Sequence, residues 1–224
     1  MKGFFNAVSN PSTRRLIWIP IIHTQADLGS LSESVRRLYT QMLGRGKWDQ
    51  HHQAIAEIWR KTRETIEGLD LPFEKVRLYQ DGLPHCGREA EIVRDLAQAG
   101  SQNHQILLDL MAKGARLTGT ESPQLLLEEY KLARQVLTAL DSRQPGNSAQ
   151  DQKEVSKVLL DKRDRHIAER IDETLQPGET GLIFLGMLHS LTGLLAADVQ
   201  VTRVDPAANL APKKTLQGKG KGRK

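Results

Sequence analysis

Four stretches of this chain end in side chains that hold metals or move protons. Arg14 to Ile22 runs into His23, Lys75 to Gln80 into Asp81, Ala115 to Thr118 through Gly119 and Thr120 into Glu121, and Gly181 to Leu188 into His189. Each stretch is short and rich in apolar or β-branched residues, as a strand is. Two imidazoles with one or two carboxylates suit a borderline divalent cation, Zn, Mn or Co, that keeps a position open for water. A carboxylate left over is suited to act as general base in hydrolysis. The candidate donors and proton carriers are the four strand-end groups, His23, Asp81, Glu121 and His189.

These groups meet only if the strands run parallel and deliver their carboxyl ends to one rim, where ligand chemistry in open α/β sheets gathers. The intervening segments have the length and pattern of crossover helices. Leu182 to Leu185 is apolar on both alternations, which suits a strand covered on both faces. Asp27-Leu28-Gly29 turns the chain after His23, and Ser30-Leu31-Ser32-Glu33 has capping-box spacing for a helix through about Leu43. Ile55, Ile58, Trp59 and Ile66 mark an amphipathic helix over Trp48 to Ile66. Gly100 and Ser101 separate a helix over Arg88–Ala99 from one over Gln102–Lys113.

Ser122-Pro123 opens another helix, so Glu121 lies between a strand end and a positive helix terminus that favours an ionised carboxylate. Asp141 to Gln152 is polar and reads as a surface loop. From Lys153 to Leu175 one stripe carries Leu160, Ile167, Ile171 and Leu175, yet passes through Asp164 with Arg163 at its border. Charged groups facing inward demand partners, which predicts that this pair bonds something at the rim. Pro20, lacking a ladder donor, predicts that the first strand is an edge or bends before His23. Asp198 to Val204 alternates as a last strand. The resulting expectation is a single α/β domain over residues 14–206, with a mostly parallel or mixed sheet of about five strands flanked by helices. An irregular segment, 1–13, precedes it and a disordered basic tail, 207–224, follows.

The 224 residues carry 38% hydrophobic and 26% charged side chains, typical of a water-soluble domain, while 4% aromatic content disfavours stacking platforms for single strands. The formal net charge is +5, but Lys213, Lys214, Lys219, Lys221, Arg223 and Lys224 more than account for it, leaving the rest slightly acidic. Such a tail solubilises, with weak contact to nucleic acid or an acidic surface as its secondary expectation. Cys86 is the sole cysteine, which excludes an internal disulfide and a four-cysteine zinc site and suits a reducing compartment. Neither signal peptide nor membrane span is expected, and the expected location is cytoplasmic. His85 beside Cys86 is a poor nucleophile pair because neighbours in sequence rarely face one another. His51 and His52 read as solvent-facing, and His104 and His166 as structural or solvated.

Three motifs resemble the TraB/Tiki-like group, within the clan that includes erythromycin esterases and ChaN-like proteins. Ile19-Pro20-Ile21-Ile22-His23-Thr24 is similar to the group's strand-to-histidine motif, and Leu117-Thr118-Gly119-Thr120-Glu121-Ser122 to its Gly-x-Glu-Thr/Ser motif. Arg163-Asp164-Arg165-His166-Ile167-Ala168 followed by Gly186-Met187-Leu188-His189 resembles its Arg-Asn helix and Gly-x-x-His. Pro20 and Ile22 stand where Gly-Thr is usual, Asp164 where asparagine is, and Gln80-Asp81-Gly82 replaces an acidic-Leu-Asp pattern. The resemblance implies an α/β fold and a site at His23, Glu121 and His189, with Arg163 and Asp164 orienting them. In Tiki-like members it implies metal-dependent peptide hydrolysis. Esterase relatives work without metal and ChaN-like relatives bind haem. The leading expectation is therefore a metal-dependent hydrolase of peptide or ester bonds. The alternative is a non-catalytic protein binding a small ligand or haem.

Overall fold

The computed structural model describes residues 13–142, 149–204 and 206. Five parallel strands form one sheet in the order β3-β2-β4-β1-β5. In chain order these are β1 (Arg14–Ile21), β2 (Val76–Gln80), β3 (Arg116–Leu117), β4 (Thr180–Gly186) and β5 (Val199–Arg203). Helices α1 (Ser32–Leu43) and α2 (Arg45–Glu67) connect β1 to β2. Helices α3 (Glu89–Gln98) and α4 (Gln102–Ala112) connect β2 to β3, and α5 (Pro123–Ser142) and α6 (Ala149–Thr174) connect β3 to β4.

Two cores follow from strand alternation, because successive side chains point to opposite faces. Ile17, Ile19, Leu78, Leu182 and Phe184 face one way and pack with Ile55, Trp59 and Ile66 of α2, Val93 of α3 and Ile106 of α4. Leu16, Trp18, Tyr79, Ile183 and Leu185 face the other way and pack against Ile167, Ala168 and Ile171 of α6. Each such side chain withdrawn from water stabilises the fold by about 1.5–3 kcal/mol, so both helical layers are firmly seated. β4 lies between β1 and β2 although β3 precedes it in the chain, and the layer covering the sheet changes face between the β2–β3 and β3–β4 connections. Because all the strands are parallel, the loops after β1, β2 and β4 leave at one rim.

Three expectations are corrected. β1 is an interior strand, paired with β4 along Arg15–Ile21 and with β5 along Arg14–Trp18. Pro20 is tolerated because the Trp18 carbonyl accepts from Val204 N on the β5 side. By alternation the Pro20 nitrogen points to that same side, beyond the last β5 pair. The capping box also fails at Ser30, since α1 starts after Leu31 with no side-chain cap. Ser30 instead shares a 2.9 Å hydrogen bond with Tyr130 of α5. One turn earlier, Asp27 accepts from Thr24 N and Oγ1, organising the 3-10 helix Gln25–Leu31.

β2 is third: Lys75-Val76-Arg77-Leu78-Tyr79-Gln80 alternates polar and apolar residues as a half-buried strand does, yet Tyr79 is buried and its hydroxyl bonds Thr174, while half-buried Arg77 pairs with Glu179. The remaining boundaries fall close to expectation. Helix covers 141–142 and 149–152 of the stretch expected as a surface loop, and residues 143–148 lie outside the described residues, as do 1–12 and the basic tail, 207–224. Among the described residues, no helix is long and apolar enough to cross a membrane.

Candidate functional site

All four strand-end groups come to the carboxyl rim. His23 follows β1 by two residues. Asp81 follows β2 directly and extends its ladder, donating from its N–H to the Phe184 carbonyl at 2.9 Å. Glu121 is fixed by its backbone: its N–H and that of Thr120 both donate to Leu83 O at 3.0 Å, and His85 N donates to Glu121 O at 2.8 Å. Gly119 is required there, because a Cβ would stand 2.5 Å from His85 Cα. The next residue, Ser122, accepts from Leu125 N at 3.4 Å as α5 begins. His189 is carried by a tight turn in which its N–H donates to Gly186 O at 3.2 Å. The inward stripe of α6 brings Arg163 and Asp164 beneath the rim, each 4% exposed.

One oxygen organises the cluster. Asp81 Oδ2 accepts from Gly186 N at 2.9 Å and lies 3.3 Å from His23 Nε2 and 3.4 Å from His189 Nε2. Its partner oxygen accepts from Arg163 Nη2 at 2.7 Å. The Arg163 fork also grips Glu121, with Nη2 to Oε1 at 2.5 Å and Nε to Oε2 at 3.1 Å, while Nη1 reaches Glu129 Oε1 at 2.6 Å. Gly82 N donates to Glu121 Oε1 at 3.3 Å. Asp164 takes the other side of His189, Oδ1 to Nδ1 at 2.5 Å, and accepts from Ser190 N at 2.9 Å. A Cβ on Gly186 would stand 2.9 Å from Asp81 Oδ2 and 3.8 Å from His23 Nε2, so glycine leaves the cradle open.

Burial and charge divide the roles. Glu121 is wholly buried and His189 nearly so, whereas the His23 side chain is 43% exposed. Burial works against charge on His189, but carboxylates at both ring nitrogens win and raise its pKa to about 9. Carboxylates facing both nitrogens fit the imidazolium, which donates from each. Burial likewise opposes charge on His23, and the hydrogen bond to Asp81 outweighs it and raises the pKa. The two carboxylates part company. Asp81 is held well below the usual carboxylate range, since the histidines overcome its burial, while burial pushes Glu121 up despite the Arg163 fork. Environments that separate two acids in this way assign one to stay charged and the other to hold a proton more readily.

Asp81, Glu121 and His189 form a group that could bind a metal ion, with one donor atom from each lying within 4.8 Å of the others. Donors around a tetrahedral ion with bonds of about 2.0–2.2 Å stand roughly 3.3–3.6 Å apart, so a pair standing near the upper limit must draw in by about an ångström to share one. The donor set of two oxygens and one imidazole nitrogen suits Zn, Mn or Co. The cation must compete with the proton on His189 and with the guanidinium of Arg163. This group contains Glu121 and His189 of the expected metal ligands together with Asp81, while His23 stands against Asp81 at the mouth.

The sequence missed Glu129, whose position on an ordinary-looking helical face gave no signal of its bond to Arg163. It also missed the buried set formed by Asp27, Ser101 and His104. There Ser101 Oγ lies 2.5 Å from Asp27 Oδ1 and 2.7 Å from His104 Nδ1, pinning the segment after His23 to the start of α4. The polar turn Asp27-Leu28-Gly29 and the cap Ser101 were both visible, but nothing linked them. His51 is exposed and stacks on Tyr39 at 5.3 Å. His85 and Cys86 are exposed on the loop before α3. His166 is half-buried, with no hydrogen bond to Nε2 among the described residues. Comparison with family models, with curated proteins and with solved structures gave no match to this chain.

Proposed function

We propose that this rim is a hydrolytic site for a peptide or ester bond, assisted by a divalent cation held by Asp81, Glu121 and His189. The observation that carries the proposal is the crowding of two imidazoles, from the ends of β1 and β4, onto Asp81 Oδ2, with one imidazole open to solvent and the other buried. His23 is the group placed to exchange a proton with substrate: neutral, it takes one from water, and charged, it returns one to the leaving group. Asp81 orients His23 and favours its charged form. Asp164 fixes the ring of His189, and Arg163 holds both carboxylates in place, so the rim is organised before substrate arrives. The cation supplies Lewis acidity toward the scissile carbonyl. The grouping of the chain with the TraB/Tiki-like proteins rests on the sequence motifs at His23, Glu121, Arg163 and His189 that resemble theirs.

A second mechanism, acid–base hydrolysis without metal, is favoured by one observation. Arg163 and a charged His189 already partner Asp81, Glu121 and Asp164 without a divalent cation. Metal content of the purified protein and hydrolysis of a panel of peptides and carboxyl esters, before and after chelation, decide the matter. Turnover that vanishes with chelator and returns with Mn, Co or Zn supports the metal-assisted site. Turnover indifferent to chelator favours the acid–base form, and binding of ligand without turnover favours the non-catalytic alternative, including haem.

A further inference from the structure

The turn that carries His189 exposes two large apolar side chains to water. Met187 is 63% exposed and Leu188 is 84% exposed, between Gly186, whose N–H donates to Asp81, and buried His189. Register supplies a third apolar neighbour. Ile21 pairs with Gly186, so Ile22 and Met187 leave the sheet from adjacent positions, one residue before His23 and two before His189. Ile22 is half-buried against the core. Apolar side chains held in water by a tight turn gain when something covers them, and this turn follows Gly186, where a Cβ would stand 3.8 Å from Nε2 of the solvent-open His23.

We propose that Met187 and Leu188, backed by Ile22, receive an apolar acyl group or apolar side chain of the substrate on the carboxyl side of the scissile bond. The proposal rests on the hydrolytic reading of the rim and narrows its substrate class. It joins an exposed imidazole, His23, to an apolar lip, so the carboxylate released by cleavage of either a peptide or an ester fits in one orientation: oxygens toward His23, hydrocarbon toward residues 187 and 188.

Binding of straight-chain carboxylates tests this without requiring turnover. The full chain is titrated with acetate, butyrate, hexanoate and octanoate by calorimetry and by chemical-shift mapping. Covering the added hydrocarbon tightens binding by about threefold per methylene. In Met187→Ser/Leu188→Ser, whose changes are at exposed positions, circular dichroism is expected to stay unchanged and the gradient to flatten. In His23→Ala every member is expected to weaken by a similar factor with the gradient kept. That pattern supports the apolar lip even if no ester or peptide is hydrolysed, so loss of the hydrolytic reading is seen separately. Three results overturn the lip, even in a protein that hydrolyses its substrate: no chain-length gradient in the parent, absence of binding by all four acids included; a gradient undiminished in the double variant; or binding indifferent to His23→Ala.

Discussion

Asp164→Asn isolates the charge that holds His189 protonated. The amide keeps an oxygen that can accept from Nδ1, now 2.5 Å from Asp164 Oδ1, but removes the negative charge. His189 has a pKa raised to about 9 from the ordinary 6.5. A group whose pKa is raised in the folded state stabilises it fully below the unfolded value, and that stabilisation is lost as pH climbs through the folded value. The window is therefore pH 6.5 to 9, and a shift of this size in a buried ring corresponds to about 3 kcal/mol. The depressed pKa of Asp81 reflects part of the same attraction and adds nothing further. Tyr79, pushed up to about 12 by burial, titrates outside the window.

In chelator, where no metal competes for Nε2, the ring protons of His189 are expected to titrate near pH 9 in the parent. Because Asp81 remains 3.4 Å from Nε2, the variant is expected to titrate roughly 1–2 units lower rather than at the free value. Urea unfolding at pH 6.5 and pH 9.5 is expected to show the parent losing about 1–3 kcal/mol more than the variant across that interval. An imidazole that titrates near 6.5 in the parent, or equally in both proteins, refutes the assignment of charge to His189.

Arg163→Met leaves two buried carboxylates without their cation and is expected to cost about 3–5 kcal/mol in urea unfolding, with part of that loss recovered when Glu121→Gln is added; a cost under about 1 kcal/mol contradicts the fork. Metal affinity measured by calorimetry is expected to rise about tenfold per pH unit between pH 7 and 8, since binding at His189 displaces a proton, and a pH-independent affinity removes His189 from the ligand set. Gly186→Ala puts a methyl 2.9 Å from Asp81 Oδ2. It is expected to weaken Mn or Zn binding and turnover together, and parent-like affinity would show that the cradle is not where ligands enter.

Much of this architecture is visible in the chain because periodicity and punctuation are local. The two-sided apolar run of β4, the Ser122-Pro123 helix start and the Gly100-Ser101 break each fix an element without reference to distant partners. The burial of Arg163 and Asp164 was legible for a physical reason: charges on a stripe with Ile167 and Ile171 must find partners. Which partners they find was not. Arg163 selects Asp81, Glu121 and Glu129 from three different segments, and only the folded sheet brings these together. Pro20 misled because edge preference is a statement about hydrogen-bonding sides, and β5 ends two residues short of the position where its missing donor would matter. Ser30 misled because its hydroxyl found Tyr130, one hundred residues away, in place of the nearby helix.

The central claim is that His23, held by Asp81 at the mouth of the cluster, performs proton transfer on a carboxyl-derived bond. The most direct measurement is kcat/KM for the best ester or peptide of the panel in the parent and in His23→Ala, paired with unfolding curves for both. His23 is a partner of buried Asp81, so its removal is expected to cost about 1–3 kcal/mol and leave the protein folded. Loss of its proton transfer is expected to lower kcat by about a hundredfold or more. Equal turnover in the two proteins, both folded, would contradict the claim.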